Sequence, residues 1–234
     1  LSCRDSIDIT QPGEITEAVA FQSTSDLKSF LLVNVYTSLD NSNEIALSSY
    51  FTDVTAITPQ NPGWFFQEFR YGLMSDNGYA EGTWSTHYRT INRVNRLLQA
   101  ATLITPGYDV AAYNSNLAEA RALRAYSYLQ LQSYFTTNMK DNNALGVILT
   151  TTVPGVYDQL PRVSNGQIYA VMEDDLNFAA ANFVPMQSTD PNYANRYKYV
   201  TLEMINAVRA RMFAYRGMYT QAKQYAQAAI GTTA

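Results

Sequence analysis

The chain has one histidine, His87, and one cysteine, Cys3, which narrows the chemistry open to it. A disulfide within the chain and a zinc site with two or more thiolates are both excluded. His87 stands one residue before Tyr88, with no neighbouring histidine or cysteine to complete a dyad or a metal site, so it reads as a packing or surface residue. The sequence holds no Gly-rich phosphate loop and no Gly-x-Ser-x-Gly elbow. Carboxylates remain. Asp53, Glu68, Asp76 and Glu81 share one aromatic-rich stretch, where a pair at the right separation could hydrolyse a glycosidic bond. That separation is a three-dimensional quantity, which keeps a hydrolase open as a weaker alternative. Glu173, Asp174 and Asp175 suggest a cation site, but consecutive helical positions point in different directions, which favours a solvated face with one buried tie. No metal and no cofactor is expected.

The same stretch is better suited to binding. Tyr50, Phe51, Trp64, Phe65, Phe66, Phe69, Tyr71 and Tyr79 lie beside Asp53, Asn61, Arg70, Asp76 and Asn77. Flat aromatic faces cover the apolar faces of sugar rings, and polar neighbours orient ring hydroxyls. The candidate ligand contacts are Trp64, Arg70, Tyr71, Asp53 and Asn61, with Trp64 and Arg70 expected to be exposed. The competing reading is that most of these aromatics pin a long loop to the helices.

Composition sets the partners. With 234 residues and 47% hydrophobic residues, the chain can close a substantial core. Only 15% of residues are charged against a usual ~25%, and Asn, Gln, Ser, Thr and 18 Tyr supply the polarity, as on an exported protein's surface. A net charge of -4 without a basic block leaves nothing to neutralise phosphates, so nucleic acid is not an expected partner. No apolar run reaches the ~20 residues needed to cross a bilayer. Leu1-Ser2-Cys3 is similar to the end of a bacterial lipoprotein signal, in which the cysteine is acylated. On that reading Cys3 is the lipid attachment and residues 1–23 are a tether. A free cysteine at a chain end is the alternative.

Helices must position these groups. The spacing of Leu27, Phe30, Leu31, Val35 and Leu39 predicts a first helix near 25–39, after N-cap candidates at 23–26. From 41 to 81 the period fades among Pro59, Pro62, Gly63, Gly72 and Gly78, which predicts a long ordered loop. Trp84, Tyr88, Ile91, Val94 and Leu98 restart a stripe that ends at Pro106-Gly107. Residues 110–137 follow as a helix apolar on almost every face, to be buried among other helices and packed antiparallel to its predecessor. Ala118, Ala122 and Ala125 form a small-residue row on it, while Glu119, Arg121 and Arg124 require ion partners. Residues 138–162 read as a crossing loop with room for one short strand. Ser164 and Gln167 have capping-box spacing for the next helix, closed by Pro185. Leu202 to Tyr215 and Met218 to Ile230 form a hairpin broken at Gly217. Its alanine rows, with Tyr215, Tyr219 and Tyr225 filling the gaps, are similar to tetratricopeptide packing. The fold class is therefore mostly α: stacked helical hairpins with an aromatic-rich loop region, little strand, and one domain over residues 24–234.

Four blocks, in order, resemble the SusD/RagB family of outer-membrane nutrient-binding lipoproteins of Bacteroidota: 84–98, 118–135, 161–185 and 207–230. The resemblance implies that Trp84 and Tyr88 act as packing wedges, that Asn95 bonds backbone, and that Arg124 and Asp175 are buried polar ties, none touching ligand. Tyr219 stands where the family often has another aromatic, frequently Trp. The family continues well past its last helical hairpin, so the C-terminal part of its fold is expected to be absent from this chain. It also implies non-catalytic binding of a glycan or other oligomeric nutrient at the cell surface, and delivery to a SusC-like, TonB-dependent outer-membrane transporter. The membrane would be met only through the lipid anchor. A tetratricopeptide-type protein-interaction scaffold is the alternative from another class.

Overall fold

The structure is a computed structural model that describes residues 20–52, 54–74 and 76–231; Cys3, most of the expected tether, and Asp53 lie outside the described residues. The first helix, α1 (Thr24–Phe30), is capped as its sequence predicts, with the Ser23 hydroxyl accepting from the Asp26 amide and the Asp26 carboxylate accepting from the Ser23 amide at 2.9 Å. It runs on into a π-helical turn, Leu31–Tyr36. Leu27, Leu31 and Val35 are all fully buried.

The expected loop over 41–81 is corrected in part. Residues Ser42–Tyr50 form a helix, α2, and Phe66–Phe69 a single turn, α3. Only Glu44 and Leu47 of α2 are buried, so its sequence carries almost no helical stripe for the period to reveal. Helix α4 (Gly78–Ala101) also starts six residues before the first stripe residue, Trp84, because Asn77 caps it by accepting from the Tyr79 and Ala80 amides, each at 3.1 Å.

Helix α5 (Val110–Phe135) is the central rod. Ala118, Ala120, Ala122, Ala125, Tyr128, Leu129 and Leu131 are wholly buried, and the helix packs against α4 on one side and α6 (Asn165–Asn182) on the other. Each large aliphatic side chain sealed here contributes about 1.5–3 kcal/mol. Trp84 meets Phe135 edge-on at 5.0 Å, which fixes α4 and α5 as antiparallel.

The charges on α5 find the partners that their burial demands. Arg124 donates from Nε and Nη2 to the two Asp175 oxygens, each at 2.7 Å, and from Nη1 to Asn95 Oδ1 at 2.6 Å. Burial opposes the guanidinium's charge, but the bonds and field of Asp175 outweigh it and hold the Arg124 pKa above its ordinary value. Asn95 Nδ2 then donates to the carbonyls of Thr150 and Thr152 at 3.1 and 3.0 Å, joining α4 to the crossing loop. The hydroxyls of Tyr88 and Tyr128 donate to Ile148 and Thr150 carbonyls at 2.8 Å. Arg121 reaches exposed Asp174 at 3.1 Å.

The crossing loop holds two short strands, β1 (Leu145–Ile148) and β2 (Arg162–Ser164), paired antiparallel. Gly146 is required there, because a Cβ would lie 2.9 Å from Asn165 Oδ1. The capping box at Ser164 and Gln167 is present. A short 3-10 helix (Tyr193–Lys198) precedes the terminal hairpin, α7 (Leu202–Tyr215) and α8 (Tyr219–Ile230), which turns at Gly217 with φ 77°. One expectation about this hairpin is corrected. Tyr225 stacks on Phe213, but Tyr219 is 65% exposed and Tyr215 turns outward to Arg211, while the alanine rows line an open surface groove. No helix among the described residues is long and apolar enough to cross a membrane.

Candidate functional site

The aromatic segment between α2 and α4 has two sides. On the inner side Tyr50, at the end of α2, stacks on Phe65 with centroids 4.7 Å apart, and Tyr79, in the first turn of α4, closes on both rings at about 6 Å. This cluster pins the segment to the frame. Burial, followed by the proximity of Tyr50, raises the Tyr79 hydroxyl above its usual pKa.

The outer side is built around α3. Trp64 is 70% and Tyr71 68% exposed, Phe66 is partly exposed, and the Arg70 guanidinium lies 4.1 Å over the Phe66 ring. Tyr71 in turn stacks on Phe51, with ring planes 13° apart. Both ends of this turn carry a left-handed residue with a side chain, Phe65 at φ 60° and Tyr71 at φ 61°. Such residues cost about 1–2 kcal/mol each and persist only where the surroundings impose them. They fix which way Trp64, Phe66, Arg70 and Tyr71 face.

The predicted contacts separate on this geometry. Trp64, Arg70 and Tyr71 are all exposed, with Arg70 laid on Phe66 and Tyr71 on Phe51. Asn61 acts on the backbone: its Oδ1 accepts from the Gly63 and Trp64 amides, both at 2.7 Å, and its Nδ2 donates to the Trp64 carbonyl at 3.0 Å. It therefore brackets the turn that lifts Trp64. Asp53 lies outside the described residues. Phe66, the platform for Arg70, was not among the predicted contacts. Glu68 is engaged below the face, accepting from Asn77 Nδ2 at 2.7 Å, which links α3 to the cap of α4.

Sequence reasoning missed the root of the site. His87 on α4 is fully buried and bonds Glu44 on α2. One turn earlier Gly82 lets α2 come so close that a Cβ there would lie 2.4 Å from the Asn43 amide nitrogen. The two contacts seat α2, and with it the start of the aromatic segment, on the helical frame. A pairing across 43 residues leaves no local spacing to read. Among the described residues no group of three or more His, Cys, Asp or Glu could hold a metal ion.

No family model matches the sequence, and no curated protein matches it. Solved structures do. A SusD superfamily protein from Bacteroides fragilis superposes with a TM-score of 0.72 at 20% identity, over 88% of this chain and 49% of that one. A SusD-like carbohydrate binding protein from Bacteroides vulgatus gives 0.71 at 20% identity, over 91% and 46%. A laminarin binding SusD-like protein gives 0.69 at 20% identity, over 91% and 44%. The fold, mostly α with a single small sheet among the described residues, is thus shared with part of each of these SusD-type structures. The chain spans about half the length of the structures that it matches.

Proposed function

We propose that this chain is a non-catalytic binding module that captures a glycan, or another oligomeric nutrient with flat apolar faces, on the surface formed by Trp64, Phe66, Arg70 and Tyr71. The observation that carries the reading is the strained turn at α3, which holds three exposed rings and a guanidinium outward when burial would stabilise the rings more. Shallow aromatic faces of this kind suit sugar rings, and the carbohydrate-binding descriptions of the structural neighbours support the same ligand class. In this reading the protein is anchored at the outer-membrane surface through Cys3 and passes its ligand to a SusC-like, TonB-dependent transporter.

The test is isothermal titration against an oligosaccharide panel that includes laminarin fragments. A bound glycan should lose roughly tenfold in affinity on W64A or Y71A, a factor equivalent to about 1.4 kcal/mol. Unchanged affinity in the W64A/Y71A double variant would overturn the site, and release of reducing ends would overturn the non-catalytic assignment. Failure to co-purify with any TonB-dependent transporter from source membranes would remove the delivery step.

A further inference from the structure

A cleft of about 970 Å³ opens between α1, the first turns of α5 and the segment around residues 183–203. Because α4 and α5 are antiparallel, it lies at the opposite end of their hairpin from the aromatic face; α5, with 26 residues, is about 39 Å long. On its wall sits Glu119, a carboxylate from the central helix that is only 5% exposed. Glu119 Oε2 accepts from the Tyr36 hydroxyl at 2.6 Å, and that hydroxyl accepts from the Val200 amide at 2.9 Å. Burial first, and then the charge of Glu119, push the Tyr36 pKa far above its usual value, so the hydroxyl remains a donor. The other oxygen, Oε1, faces Lys28 Nζ at 2.7 Å.

The two bonds differ in kind. Tyr36 is held by the fold, whereas the Lys28 side chain is 41% exposed, flexible, and free to swing into water. Around the carboxylate the cleft carries Asp109, Asp190 and Glu203 against Arg196, whose guanidinium lies over the Tyr193 ring at 4.4 Å. With Lys28 and Glu119 neutralising each other, that lining is net negative by two charges. A volume of this size admits a ligand of several residues or rings.

We propose that this cleft is a cation-recognition site, in which an ammonium or guanidinium group of the ligand replaces Lys28 on Glu119 Oε1. Lys28 is the resident stand-in that keeps the carboxylate paired while the cleft is free. The same chemistry can come from a basic side chain of a peptide or from the amine of an amino sugar. The proposal is independent of the aromatic face.

The experiment is calorimetric titration of the 234-residue chain at low salt with two probes, Nα-acetyl-lysine methylamide and a glucosamine trimer, each against its N-acetylated neutral form. In the W64A/Y71A background, which removes the aromatic face as a glycan site, a charged probe should bind and its neutral counterpart should not, which also identifies the source. In the same background K28M should tighten binding at least threefold by removing the competitor, and E119Q should weaken it at least tenfold. Equal binding of charged and neutral forms in that background, or no binding of either charged probe with or without K28M, overturns the proposal. Should E119Q fail to fold, the K28M and neutral-probe arms still decide.

Discussion

Glu44 on α2 and His87 on α4 bond each other in the interior, with side chains 4% and 0% exposed, and this pair ties the root of the aromatic segment to the helical frame. Removing one member strands the other. E44A leaves the His87 ring without its partner and should cost about 1–3 kcal/mol in urea unfolding. Protease should then cut between residues 51 and 77 before the helices are attacked. Uniform susceptibility along the chain would show that the pair does not anchor this segment.

Gly82 makes the same junction close. G82A should be near neutral, because the helix gain from replacing glycine, about 0.5–1 kcal/mol, is offset by rotating the Asn43 side-chain amide away from a Cβ placed 2.4 Å from it. Combining G82A with N43A should then be more stable than N43A alone by about that gain, since the clash is with a side chain. A double-mutant cycle from denaturant midpoints checks it.

Arg124 and Asp175 join α5 to α6 with two bonds at 2.7 Å and no solvent. R124M should destabilise by about 3–5 kcal/mol by leaving buried Asp175 with only the more distant Arg121, at 3.8 Å, as counter-charge. R124K should fail to rescue fully, because an ammonium cannot reproduce the planar fork. Pairing R124M with D175L should recover much of the loss if the volume is filled.

Asn61 should separate binding from stability. N61A removes three bonds that shape the Trp64 turn, all near solvent, and should change unfolding free energy by less than about 1 kcal/mol. It should nonetheless weaken glycan binding, because Trp64 loses its fixed presentation. Equal binding by N61A and wild type would mean that preorganisation of Trp64 contributes nothing.

Tyr169 predicts an alkaline limb. Burial pushes its hydroxyl up to about 12, with the Arg216 guanidinium pulling the other way. The folded pKa exceeds the unfolded one, so the stabilisation is complete below the ordinary value near 10 and is lost as pH rises through about 12. Ultraviolet titration should show a late-ionising tyrosine, and Y169F should flatten stability over this window. The Tyr169 hydroxyl's bond to the Met139 carbonyl, at 2.8 Å, is lost at all pH values in that variant.

Much of the frame was legible in the sequence because helices carry local periods. The apolar wrap of residues 110–135 could belong only to a central rod, and charges inside it required partners; Lys28, Asp174 and Asp175 are those partners. The capping box at Ser164 and the turn at Gly217 rest on residue types that act within a few positions. The small-residue rows were legible as faces, but not as to what covers them. On α5 they are buried, whereas on α7 and α8 they line an open groove.

The site divides in the same way. Composition alone marked residues 50–79 as aromatic-rich, open both to a binding surface and to pinning a long loop on the helices. Which rings turn inward was decided by contacts across distance: Tyr50 and Phe65 against Tyr79, Glu44 against His87, Asn43 against Gly82. The sequence determined the rods and the residues available to the site, because those follow from neighbours within a turn or two. Only the tertiary structure decided that α2 seats on α4 and that Glu119 sits in a cleft, because each depends on groups brought together by packing from remote parts of the chain.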